Sequence, residues 1–153
     1  MAETQLIDTF WLVCREALPH LPTQAPEAWA FGATPAHADE LLALVLAGIK
    51  TATASSLWDH EHTGEPVPEV GWLNIILDGE GHPRALLETV AVDVVPFAKV
   101  TPDHAFAEGE GDRTLATWRD IHERYWRDHS DSPKRFAPEM PVVCEQLRLL
   151  FST

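Results

Sequence analysis

The first chemically suggestive run in the chain is Gly48-Ile49-Lys50-Thr51-Ala52-Thr53-Ala54-Ser55, one lysine followed closely by hydroxyls. A lysine so placed can present its charge to an anionic or carbonyl oxygen. Taken out of water, its pKa falls and it can act as a base toward a neighbouring hydroxyl. The plain alternative is a solvated lysine complementing the dipole at a helix C-terminus. No Gly-x-x-x-x-Gly precedes Lys50, which argues against a nucleotide-triphosphate loop. A second concentration is Glu108-Gly109-Glu110-Gly111-Asp112. Its two glycines permit a tight turn, and its carboxylates could serve as a general base or accept from a base's exocyclic amine. The competing reading is an acidic loop whose last carboxylate caps the next helix.

Asp59-His60-Glu61-His62 invites a metal reading, since all three residue types ligate zinc. The two histidines are only two apart, however, and no helix is evident there to bring them to one side. No third ligand is suitably spaced, so no metal and no other cofactor is expected. His122, four residues after Trp118, fits a partly buried structural histidine, with cleft lining as the alternative. Six tryptophans are many for this length. Some must be core, but indoles also stack on nucleobases, and Trp29 and Trp58 flank the Lys50 segment. The nucleophile elbow Gly-x-Ser-x-Gly, His-Glu-x-x-His and Gly-x-Gly-x-x-Gly are all missing from the sequence.

The elements that would carry these groups are legible in outline. Residues 1–18 read as an amphipathic helix through Leu6, Phe10, Val13 and Leu18, broken by Pro19, Pro22 and Pro26. The clearest helix follows: Thr34 can cap it, Pro35 suits its first position, Leu41, Leu42, Val45 and Leu46 form its stripe, and Gly48 stops it. Thr51–Trp58 alternates as a strand could, and a loop to Gly71 follows. Trp72–Leu77 and Ala85–Val95 read as a hairpin about Asp78-Gly79-Glu80-Gly81. Residues 97–111 read as mostly irregular, with a short helix around His104–Ala107. Leu115–Trp126 is helical, with Leu115, Trp118, His122 and Tyr125 on one face. Residues 128–138 are loop, and a final strand or strand pair starts near Met140. This mix predicts an α+β domain, a small mostly antiparallel sheet or barrel with helices against it.

With 153 residues, 45% hydrophobic and 23% charged, the chain has the length and composition of one ordinary globular domain. The run Leu41–Ile49 is too short to cross a bilayer, and Leu6–Val13, interrupted by Asp8 without a basic leader, does not read as a signal peptide. A cytoplasmic protein with no membrane partner is expected. Cys14 and Cys144 make no metal-spaced pair and read as buried, inert thiols. The net charge of −13, from 11 Lys and Arg against 24 Asp and Glu, excludes a wide duplex-binding face. A neutral nucleoside or a few nucleotides in a local pocket remain compatible.

Taken in order, these segments form a pattern: Trp29-Ala-Phe-Gly, Leu46-Ala-Gly-Ile-Lys-Thr-Ala-Thr-Ala-Ser, Val70-Gly71, Leu87-Glu-Thr-Val, Val94-Val-Pro-Phe, Glu108-Gly-Glu-Gly-Asp-Arg-Thr-Leu with Trp118 and His122, and Met140-Pro-Val-Val-Cys-Glu. The set resembles the bacterial ASCH domain of the PUA-like superfamily, over about residues 29–153, with 1–25 as a helical extension. The resemblance implies a small β-barrel surrounded by helices, with a cleft between them for a nucleoside or short single-stranded RNA. It implies amidohydrolysis of N(4)-acetylcytidine by a Lys, a Thr three residues later and a Glu, here Lys50, Thr53 and Glu110, with Glu108 the rival acid. The same motifs make Trp29, Thr51, Ser55, Trp58, Glu88, Glu108, Arg113, Trp118 and His122 candidate substrate-binding residues. Single-stranded ribonuclease activity and binding without catalysis are the alternatives, and a homodimer is compatible. The chain departs from the family pattern at Trp72, His60 and His62, all expected at the rim.

Overall fold

Helix formation around the lysine follows from local chemistry, as the computed structural model of the chain shows; the structure describes residues 3–153. Thr34, in extended conformation, accepts the His37 N–H on its side chain, and Pro35 opens the helix α2 (Pro35–Leu46). Ala38, Leu41, Leu42 and Val45 are its buried face. Leu41, Leu42 and Val45 pack with Phe31, Ile76, Ala85, Leu87 and Leu147 in one core cluster, each large aliphatic contributing about 1.5–3 kcal/mol on burial. Gly48, at φ +76°, then turns the chain out of the helix. The N–H groups of Ile49 and Lys50 both donate to the Leu44 carbonyl, at 2.9 and 3.0 Å. Lys50 therefore leaves a helix-terminal turn rather than a strand.

Among the described residues the other α-helices are α1 (Glu3–Ala17), α3 (Leu57–Thr63), α4 (Pro102–Glu108) and α5 (Leu115–His129), with one 3-10 turn at Phe97–Lys99. The strands are β1 (Ala28–Trp29), β2 (Ala52–Ser56), β3 (Leu73–Leu77), β4 (Pro83–Pro96) and β5 (Pro141–Ser152). They form one mixed sheet in the order β1-β3-β4-β5-β2, with β1 parallel to β3 and all other pairs antiparallel. The α+β expectation and the β3–β4 hairpin match this arrangement. The pairing leaves β1 and β2 at the two edges of the sheet, and so gives the sheet of the expected barrel but not its closure.

Four segments differ from the sequence reading, the first being residues 97–111, expected as mostly irregular but built from the turn Phe97–Lys99 and the helix Pro102–Glu108. The stretch after β2, expected as loop, is α3, capped by Ser56 and ended by Gly64 at φ +79°. None of its residues is buried, so no apolar periodicity announces it. A five-residue strand, not an eight-residue one, precedes it. Helix α5 continues to His129, past the expected loop start. The expected first helix, residues 1–18, is α1 up to Ala17; Leu18 lies past its end, and residues 1–2 fall outside the described residues.

A buried polar line crosses the sheet. Trp29 Nε1 donates to Asn74 Oδ1 (3.2 Å), Asn74 Nδ2 to Thr89 Oγ1 (3.2 Å), and Thr89 Oγ1 to Glu145 Oε1 (3.1 Å). Burial pushes the Glu145 carboxyl up, against the Thr89 hydrogen bond. Cys14 is buried and Cys144 half-buried, and both are free. Burial pushes the first thiol up to about 11 and the second, helped by Glu108 and Asp93, to about 12, which leaves both as inert thiols.

Candidate functional site

Two backbone contacts bring the lysine segment and the acidic turn together. The Thr51 N–H donates to the Ala107 carbonyl at 2.7 Å, and Gly109 ends α4 in the left-handed region at φ +80°. A Cβ on Gly109 would stand 3.0 Å from both the Ile49 carbonyl oxygen and Ile49 Cγ2. Gly109→Ala should therefore cost at least about 1–2 kcal/mol of unfolding free energy, read in urea, from left-handed strain alone.

Glu108 is the hub. It is 2% exposed, and its two oxygens receive four donors. Trp118 Nε1 (2.6 Å) and His104 Nε2 (2.7 Å) reach Oε2, while His122 Nε2 (3.2 Å) and Lys50 Nζ (3.5 Å) reach Oε1. Lys50, 4% exposed, also donates to the Ala52 carbonyl at 2.9 Å and sits 5.2 Å from the Phe31 ring centre. The His122 ring stacks on Trp118 at 4.2 Å and bonds the Trp118 carbonyl through Nδ1 at 2.8 Å. A carbonyl can only accept, so Nδ1 carries a proton; Nε2 faces a carboxylate and carries one too. His122 is thus an imidazolium. Burial works to lower its pKa, but the charge and hydrogen bond of Glu108, then Glu110, raise it above the ordinary value. Burial likewise works to raise the Glu108 pKa, yet His122, His104 and Lys50 hold it well below the carboxylate range.

This hub forms one wall of a cleft of about 370 Å³, within the range of small-molecule sites. Of the residues expected from sequence, Trp29, Lys50, Thr53, Ser55, Glu108, Glu110 and His122 line it. Lys50 precedes β2 and so escapes strand alternation with Thr53, which is how both face one space. Glu110, less buried than Glu108, stands 3.5 Å from His37 Nε2 and 3.9 Å from His122 Nε2.

Five expected residues lie off the lining. Thr51 is exposed, its hydroxyl 3.5 Å from the Ala107 carbonyl. Trp58 packs into a hydrophobic cluster with Lys134 over its ring at 5.3 Å. Glu88 pairs with Arg148 across β4 and β5. Arg113 covers Phe106 (3.5 Å) and donates to the Phe106 and Ile49 carbonyls, bracing the acidic turn. Trp118 stands behind the cleft and positions Glu108. Sequence reasoning did not find His37, His104 or Tyr125 for the site. His104 had a local signal, four residues before Glu108 on a helix capped by Thr101 and opened by Pro102.

Glu108, Glu110 and His122 offer ligand atoms within 4.8 Å of one another, a spacing that could hold a metal ion. With Glu108 carrying four donors and the Lys50 ammonium 3.5 Å away, an incoming cation would have to displace charges already in place. His60 and His62 do share a helix, contrary to expectation, but they diverge: His60 lines the main cleft, and His62 a smaller hollow beside Trp58.

No helix among the described residues is long and apolar enough to cross a membrane. The ASCH domain family model matches residues 27–150. The crystal structure of protein EF3133 from Enterococcus faecalis V583 superposes with a TM-score of 0.87 at 32% identity, covering 96% of this chain and 89% of that one. The ASCH domain from Lactobacillus crispatus JV V101 superposes at 0.80 with 27% identity, covering 96% and 93%. The hypothetical protein PH0355, at 0.55 and 12% identity over 82% and 99%, is alike in fold alone. No curated protein matches the sequence. With 32% identity to one solved relative and the family's domain spanning most of its length, the chain belongs to the ASCH domain family.

Proposed function

We propose that the cleft binds a nucleoside, or a short stretch of single-stranded RNA, and hydrolyses an acylated base of the N(4)-acetylcytidine type. The observation that carries the reading is that Lys50 and Thr53, from one segment, and Glu110, from a distant one, line one cleft. Lys50 is held by Ala52 and Glu108, which suits a fixed cation stabilising an oxyanion better than a mobile base. Glu108 is saturated by donors, so Glu110 is the carboxylate left to move a proton. Thr53 Oγ1 attacks the acyl carbonyl and gives its proton to Glu110. The C–N bond then breaks, the leaving amine takes that proton, and water releases the acid from Thr53. Trp29 and Tyr125 supply aromatic surface in the cleft for a base. The charge of −13 suits a nucleoside or a few nucleotides inside a local pocket of a cytoplasmic protein, not a long duplex.

The test is incubation with N(4)-acetylcytidine, chromatography for cytidine and acetate, and a labelled single-stranded RNA in parallel. The wild type should release cytidine, and Thr53→Val should lower the rate by about 10³-fold or more. Cleavage of RNA without deacetylation would replace this reading by a ribonuclease. Binding of nucleoside without either product would leave a recognition module.

A further inference from the structure

One hydrogen-bonded set in the cleft has no part in the chemistry above. Ser55 Oγ and His60 Nε2 are 2.9 Å apart, and His60 Nδ1 lies 3.3 Å from the Glu65 carbonyl oxygen. The carbonyl can only accept, so the neutral ring carries its proton on Nδ1 and exposes the lone pair of Nε2. The Ser55 hydroxyl is then the donor. A nucleophile is bonded to a base, and the base is oriented by a third group: the arrangement of activated-serine hydrolases, with a carbonyl in place of the usual carboxylate.

Local structure builds this set. Ser55 is the penultimate residue of β2, and Ser56 caps α3 by accepting the Asp59 N–H. The first turn of α3 returns His60 over Ser55, and Gly64, left-handed, swings the Glu65 carbonyl beneath the ring. Ser55, His60 and Glu65 all line the main cleft, and Ser55 and His60 are half-buried. Ser55 also shares a face of β2 with Thr53, two residues away.

We propose that Ser55 and His60 form a second nucleophilic centre, acting on short neutral acyl esters that enter the same cleft. The inference rests on the cleft admitting an acyl substrate but not on Thr53 being its nucleophile. Ser55 Oγ attacks the ester carbonyl while its proton passes to His60 Nε2. The C–O bond to the leaving alcohol breaks, and the alcohol takes the proton from Nε2. Water then attacks acyl-Ser55, His60 receives one water proton and returns it to Ser55 Oγ, and the acid departs. The surrounding wall carries Asp59, Glu65 and Asp131, which disfavours an anionic acyl group and selects a neutral one.

Diisopropyl fluorophosphate and 4-nitrophenyl acetate test it on the full chain. The probe should add one equivalent by intact mass, mapped by peptide analysis to Ser55, as Oγ displaces fluoride. The ester should give a burst of one 4-nitrophenol per chain. Ser55→Ala should lose both, and His60→Gln should slow labelling by about 10²-fold or more; His62→Gln, outside the cleft, should label like the wild type. A hydroxyl that only anchored α3 would not phosphorylate. Labelling elsewhere, no labelling, or wild-type labelling in His60→Gln overturns the proposal. N(4)-acetylcytidine turnover is read beside it. Turnover without Ser55 labelling overturns this centre alone, and Ser55 labelling without turnover overturns the nucleoside reading alone.

Discussion

Glu108→Gln is expected to lower the stability of the fold by about 3–5 kcal/mol, the range for removing one partner of a buried ion pair. The carboxylate is nearly inaccessible and faces Lys50 and the His122 imidazolium directly. A neutral amide leaves Lys50, 4% exposed, as a buried cation without a counter-charge. It also sets an NH₂ where the native oxygen accepts from two donors. Urea unfolding followed by tryptophan fluorescence measures the loss. Glu108→Gln unfolding within about 1 kcal/mol of the wild type would mean that the cluster contributes little to the fold.

The same pair sets a pH dependence. The folded Glu108 pKa is below the unfolded value of about 4.3, so its contribution is complete above that pH and disappears as pH falls through the folded value. The folded His122 pKa is raised, so its contribution is complete below about pH 6.5 and is lost as pH rises through the folded value. Stability should decline on both sides, and in Glu108→Gln the alkaline decline should flatten, because the main charge holding the proton on His122 is gone.

Lys50→Met should lower deacetylation of N(4)-acetylcytidine by about 10²–10³-fold, the usual cost of removing one oxyanion donor. Methionine keeps the length and apolar stem and removes the charge. Glu108 then retains His104, Trp118 and His122 as donors, so the acidic turn stays in place and the effect falls on kcat more than on folding. Wild-type kcat in a folded Lys50→Met chain would sink the mechanism.

How much of this was readable in advance varies with where the specifying interaction lies. Helix α2 was readable because its cap, its proline and its stripe are all local. Helix α3 was not: its residues are Leu57-Trp-Asp-His-Glu-His-Thr, none buried, and its two caps are all that mark it. Lys50, Thr53 and the Glu108–Glu110 turn were readable as chemical types, and their meeting was implied by the ASCH resemblance. The division of labour between the two glutamates was hidden. They are two residues apart, and only the left-handed Gly109 between them sends one into the hub and leaves the other facing His37. His37 carries no sequence signal for its role, because Glu110, the residue it faces, is far along the chain.

The polar line from Trp29 through Asn74 and Thr89 to Glu145 bears on how the strands find their alignment. It ties one edge strand to the residue opposite Thr53 on the other side of the sheet. A slip of one position between any two neighbours would turn these side chains to the wrong face and strand several of them in a dry interior. This seam acts as a key that only the correct alignment satisfies, and the cleft residues Trp29 and Thr53 at its two ends inherit that accuracy.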